Sequence, residues 1–180
     1  FESGAADNQS LRLLRSGTRK SPAGVSASRR IAFRNVGGGF LAQSIDEGLY
    51  GQGGFHIGTR HLPEDKELVD LEFAYLVAKY TRTQAVIIAC GGATLAVASV
   101  ATDQEMAVRV ALARTKEKAS GSVAALDSAL DMPQLERLAT GGVRAIIHTG
   151  HGNGRDKELY DFCDQKGIAL IVSRMRHFRH

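Results

Sequence analysis

Val143–Ser173, VRAIIHTGHGNGRDKELYDFCDQKGIALIVS, decides the fold. Val143-Arg144-Ala145-Ile146-Ile147 reads as a strand, and a glycine-punctuated loop follows from His148. The pattern predicts a helix from Gly154 or Arg155 to Gln165, ended by Gly167. Ile168–Ser173 is an apolar run of strand length. Strand, helix and strand in close succession are the repeating unit of an α/β sheet.

The alternation extends towards the N-terminus. Val123–Leu126 is a strand candidate, and Pro133–Ala139 a short helix closed by Gly141-Gly142. Ala85–Cys90 is a buried strand, Gly91-Gly92 a tight turn and Thr94–Ser99 a second strand, which together read as a hairpin. A helix is expected from Thr102 or Asp103 as N-cap through Lys116. Pro63 suits a first helical position, with Glu64, Asp65 and Glu67 opposing the helix dipole. Leu68, Leu71, Ala74, Tyr75 and Ala78 then form a helical stripe to about Tyr80. Phe55–Gly58 reads as a short strand, and Phe33–Gln43 as a strand bent or bulged at Gly37-Gly38-Gly39. One hairpin followed by alternating elements predicts an α/β fold: a mixed sheet covered by helices on both faces, over residues 30–180.

Residues 1–29 are rich in Ser, Gly, Ala and Arg, and Leu11–Leu14 is a candidate edge strand there. Between Leu11 and Arg34 lie seven basic residues and no acidic one. This stretch has two readings, a solvated basic arm and an arm that binds a phosphate or a partner. Its single aromatic, Phe33, leaves no interleaved stacking platform, which argues against nucleic acid. Hydrophobic residues make up 43% of the chain, too many for disorder by composition. No apolar run nears the ~18 residues that span a bilayer. No signal-peptide pattern opens the chain, which begins with Phe1. Cys90 and Cys163 sit far apart among apolar neighbours and read as reduced core residues, consistent with a cytoplasmic setting.

Chemistry concentrates near the C-terminus. The loop His148–Asp156 exposes backbone N–H groups at Gly150, Gly152 and Gly154 beside a helix start, an anion cradle in which Asn153, Arg155 and Asp156 take part. A plain tight turn that needs glycine is the competing reading. His148 and His151 are three apart, yet no third ligand has suitable spacing, so no metal is expected. Arg82 and Gln84, between a helix and a buried strand, suit recognition of a carboxamide or carboxylate; Arg82 also reads as ordinary helix C-terminal charge. Asp127 ends a strand, where it takes or orients a proton or caps a turn. The closing hexamer Met175-Arg176-His177-Phe178-Arg179-His180 sets cations at the edge of a sheet and carries Phe178 to dock it.

Several segments resemble the aminoimidazole carboxamide ribonucleotide (AICAR) transformylase and inosine monophosphate cyclohydrolase family. Arg34–Gln43 is similar to its Arg-Ser-Val-Gly-Gly-Gly-Leu-Leu-Val-Gln strand, and Leu71–Ala85 to the helix leading into Lys-Ser-Asn-Ala. Gly150–Asp156 resembles its Pro-Gly-Gly-Ser-Ile-Arg-Asp loop, and Met175–His180 matches its terminus. The resemblance implies a cytidine-deaminase-like, three-layer αβα fold without the deaminase zinc. It implies formyl transfer from 10-formyltetrahydrofolate to an AICAR-like amine, in a site shared between modules and across a homodimer or with a partner chain. Departures are plain. Arg82-Thr83-Gln84 replaces Lys-Ser-Asn, and Ala98–Gln104 replaces a Gly-Ala-Gly-Gln-x-Ser-Arg loop. Of the Ser-Asp-Ala-Phe-Phe-Pro-Phe-Arg-Asp run only Asp127 matches among polar positions, and the family's Lys-His dipeptide is absent. The expected catalytic residues are Asp127 and His148. The expected substrate- or anion-binding residues are Arg82, Gln84, Gly150, Gly152, Asn153, Arg155, Asp156 and Arg176. The expected ligand is small, anionic or nucleotide-like. The alternatives are a repurposed cyclase or formyltransferase of a specialised pathway and a non-catalytic, partner-binding module.

Overall fold

The computed structural model describes residues 31–46, 48–51, 53–99, 103–152 and 154–177. The basic arm and its candidate strand at Leu11–Leu14 lie outside the described residues, as do Asn153 and Phe178–His180. The chain divides between Ile45 and Asp46 into two units.

In the first unit, β1 (Ile31–Val36) and β2 (Gly39–Ser44) form an antiparallel hairpin. The expected single bent strand is therefore two strands. Gly38 has φ +83°, so the chain reverses there instead of bending. Pairing sets Phe33 and Phe40 edge to face, with ring centroids 5.3 Å apart.

The second unit is a six-stranded sheet in the order β3-β8-β7-β6-β4-β5. Its strands are β3 (His56–Ile57), β4 (Ala85–Cys90), β5 (Ala93–Ser99), β6 (Val123–Leu126), β7 (Ala145–His148) and β8 (Ala169–Val172). Strands β6, β7 and β8 run parallel, while β4 pairs antiparallel with both β5 and β6, so the sheet is mixed as expected. Among the described residues the α-helices are α1 (Asp65–Tyr80), α2 (Gln104–Thr115), α3 (Met132–Thr140) and α4 (Asp156–Lys166). Helix α1 covers one face, where Leu71, Ala74, Tyr75 and Ala78 pack on Ile87, Ala125, Ile147 and Ile171. Helices α2, α3 and α4 cover the other, where Val108, Leu135, Leu138 and Leu159 meet Ile88, Leu126, Ile146 and Leu170. The result is a three-layer αβα arrangement. The strands read as apolar runs because both faces are buried.

Helix starts follow local chemistry. Glu64 and Glu67 form a capping box on α1, so Pro63 precedes the cap instead of occupying the first turn. Asp103 caps α2 by accepting from the Glu105 amide at 2.9 Å. Asp131 and Gln134 form a second capping box on α3. Asp70 of α1 accepts the amides of Gly91 and Gly92 at 2.8 and 2.7 Å, which ties the β4–β5 turn to the helix.

Two expectations are corrected here. Cys163 is buried, and burial pushes its thiol up to about 12, but Cys90 is exposed at the end of β4. The strand before the basic hexamer is not at the sheet's lateral edge. β8 lies between β7 and the two-residue β3, so the cations leave from strand ends.

Candidate functional site

The parallel strands β6, β7 and β8 deliver their C-terminal ends to one side of the sheet, where open α/β sheets hold ligands. A cleft of about 870 Å³ opens there, within the usual range for a small-molecule site. Ser128 follows β6; Thr149, Gly150, His151 and Gly152 follow β7; Arg174, Met175 and Arg176 follow β8. Tyr160 and Asp156 of α4 complete the wall.

The loop after β7 is held by close approach. Gly150 has φ +82°, and a Cβ there would lie 2.5 Å from Val172 Cγ1. Only glycine fits both conditions. Asp156 accepts the His151 amide, 3.2 Å from each carboxylate oxygen, and meets His151 Nδ1 at 2.9 Å. Burial works against this carboxylate, but the ring and amide of His151 outweigh it and hold Asp156 below its ordinary value. His151 Nε2 faces Asp131 Oδ1 at 3.2 Å. Tyr160 lies so close to Gly58 that a Cβ there would meet its ring at 2.0 Å.

The segment after β8 is also anchored. Tyr75 Oη donates to the Met175 carbonyl at 2.7 Å and shares a hydrogen bond with Ser173 Oγ at 2.6 Å. Burial pushes the Tyr75 phenol well above its ordinary value. His177 is buried against the Tyr75 ring, with Nδ1 on Asp46 and Nε2 on the Leu49 carbonyl. Phe178, expected to dock the hexamer, lies outside the described residues; among those described, His177 holds the segment. Between these anchors Arg174 and Arg176 stay exposed at the cleft. Arg174 has φ +54°, an uncommon conformation for a non-glycine residue.

Of the sequence-predicted residues, Gly150, Gly152, Asp156 and Arg176 meet at this cleft. Arg155 lines a neighbouring recess of about 430 Å³ with Leu130, Met132, Lys157 and Leu159. His148 is fully buried and lines neither space. Its Nδ1 accepts the amides of Leu130 and Gly150 at 3.1 and 3.3 Å, and burial lowers its pKa to about 4. It therefore braces the loop from the end of β7 through its one satisfied nitrogen. Asp127 is buried too, with Oδ1 accepting the Ala85 amide at 3.0 Å. Burial raises its pKa, against the Ala85 amide, Thr83, Ser128 and the charge of Arg176. Strand alternation puts the two expected catalytic residues apart. His148 follows Ile146 on the face of α2, α3 and α4, whereas Asp127 follows Ala125 on the face of α1. Arg82 and Gln84 stand at the α1–β4 junction and line neither space.

Sequence reading gave no ligand-facing role to His151 or Arg174. The signal for Arg174 was its place one residue beyond a strand end; for His151 it was the Asp five positions on. Among the described residues no group of three or more His, Cys, Asp or Glu is placed to hold a metal. No helix there is long and apolar enough to cross a membrane.

The family model for the AICARFT/IMPCHase bienzyme matches residues 5–138. The chain belongs to this family. It is 34% identical over 148 residues to the bifunctional purine biosynthesis protein PurH of Desulfitobacterium hafniense (strain DSM 10664 / DCB-2), covering 82% of this chain and 28% of that protein. It is 33% identical to PurH of Paracoccus denitrificans (97% of this chain, 34% of that protein) and 33% identical to PurH of Bacillus cereus (97% and 33%). This AICARFT/IMPCHase chain therefore spans about a third of the length of these relatives. Among solved structures it is similar to the dCMP deaminase of cyanophage S-TIM5 in complex with dCMP and dUMP. That match has a TM-score of 0.41 at 16% identity, covering 61% of this chain and 98% of that one.

Proposed function

We propose that this chain is a transformylase-type module whose cleft binds an anionic, nucleotide-like amine such as AICAR for transfer of a formyl group. One observation carries the reading. Two guanidinium groups, Arg174 and Arg176, share one cleft with the glycine-rich loop after β7. Guanidinium pairs suit phosphate and carboxylate oxygens, and loop amides add further donors. The neighbouring recess is assigned to a formyl donor of the 10-formyltetrahydrofolate kind. Leu130, Met132 and Leu159 line it beside Asp131, Glu158, Arg155 and Lys157, of which the two cations suit the donor's carboxylates. When bound, that donor supplies the formyl carbon; the chain's own residues bind and orient.

Calorimetry with AICAR tests the reading. Arg176→Ala should weaken binding by ~1.5–3 kcal/mol, the range for a hydrogen bond to a charged group. Loss of melting temperature with unchanged affinity per folded molecule would instead make Arg176 a mere pin for the segment after β8. Formyl transfer by this chain alone is expected to fall below the ordinary ~1–10³ per second, because the chain carries no Lys-His dipeptide. A repurposed or purely binding module would bind the ribonucleotide weakly or without any turnover.

A further inference from the structure

His151 is the one described residue that lines both the large cleft and the smaller recess. Its ring is mostly buried, with 17% of the side chain exposed, and its orientation is set from one side. Asp156 receives both the backbone amide and Nδ1 of the same residue, which fixes loop and ring together. The opposite nitrogen, Nε2, meets Asp131, whose side chain is 68% exposed. Asp131 also caps α3, and its contact with Nε2 at 3.2 Å is longer than the 2.9 Å contact on Nδ1, so Nε2 is the ring atom offered to a ligand. The other cleft histidine, His56, is exposed at the short strand β3.

We propose that His151, aligned by Asp156, is the acid–base residue of this site, passing a proton between groups seated in the two recesses. The proposal rests on the transformylase reading above. In that reaction a bond forms between the amine nitrogen and the formyl carbon, and the bond from that carbon to the donor nitrogen breaks. The attacking nitrogen loses one proton and the departing nitrogen gains one, with no change of oxidation state. His151 Nε2 accepts the first and returns it as the second. Asp156 is a positioning residue, since it acts through the ring.

The test uses the 180-residue chain labelled with ¹⁵N in its histidine rings, with His151→Gln used to assign the His151 signals. In the neutral ring the hydrogen should sit on Nδ1, and Asp156→Asn should abolish that preference. Saturating AICAR should move the Nε2 resonance. Formyl transfer from 10-formyltetrahydrofolate should fall about 100-fold in kcat for His151→Gln with KM for AICAR little changed. A ring that carries its hydrogen on Nε2, or that ignores Asp156→Asn, overturns the proposal. So does bound AICAR that leaves Nε2 unmoved, or equal kcat in wild type and His151→Gln. If calorimetry shows that AICAR does not bind, the ligand reading fails, and the two ligand-free spectra still decide the role of His151.

Discussion

Gly150→Ala tests whether the loop after β7 is shaped by close packing. At φ +82° the new side chain strains the backbone, and a left-handed conformation costs an L-residue roughly 1–2 kcal/mol. The added Cβ also lies 2.5 Å from Val172 Cγ1, and overpacking of this kind costs about 1–3 kcal/mol. Together these give a destabilisation of about 2–5 kcal/mol, or roughly 4–20 °C in Tm for a chain of this size. A domain with a typical stability of about 5–15 kcal/mol stays folded. Val172→Ala removes the methyl that is struck but leaves the backbone strain. In chemical denaturation, the double variant should therefore recover about 1–3 kcal/mol relative to the sum of the two single changes. Strict additivity would show that the loop yields freely and that Val172 does not shape it. AICAR affinity should drop in Gly150→Ala and return in part in the double variant.

Three further outcomes are expected. His148 is held neutral in the folded chain at about 4, against an ordinary value near 6.5, so its stabilising effect is present above 6.5 and is lost as pH falls towards 4. The loss approaches about 3 kcal/mol below that value, and His148→Gln, measured by urea unfolding between pH 4 and 7, should flatten the dependence. Tyr75→Phe removes the hydroxyl that joins Ser173 Oγ to the Met175 carbonyl; unfolding should show a loss of about 1–3 kcal/mol, with AICAR affinity reduced because Arg176 is one residue away. Sedimentation at micromolar concentration should give about twice the 19.3 kDa chain mass, and a monomer would remove the homodimer expectation.

Much of the fold is written in the sequence because its strands and helices follow simple local rules. Apolar runs at β4, β6, β7 and β8, the stripe on α1 and the acidic cap at Asp103 each report a local preference. Gly150, Gly152, Asp156 and Arg176 were legible for the same reason, since a glycine-rich strand-to-helix loop and a basic segment after a strand are local patterns. Tertiary structure decided the rest. Strand pairing and alternation send Asp127 and His148 to opposite faces, and their burial removes both from the ligand surface. The pairing of His151 with Asp156, the depth of His177 behind Tyr75 and the convergence of Arg174 with Arg176 depend on distances between elements. Composition and periodicity record which face a residue prefers. Which side chains then meet across that face is set by register and by the packing of helices on the sheet.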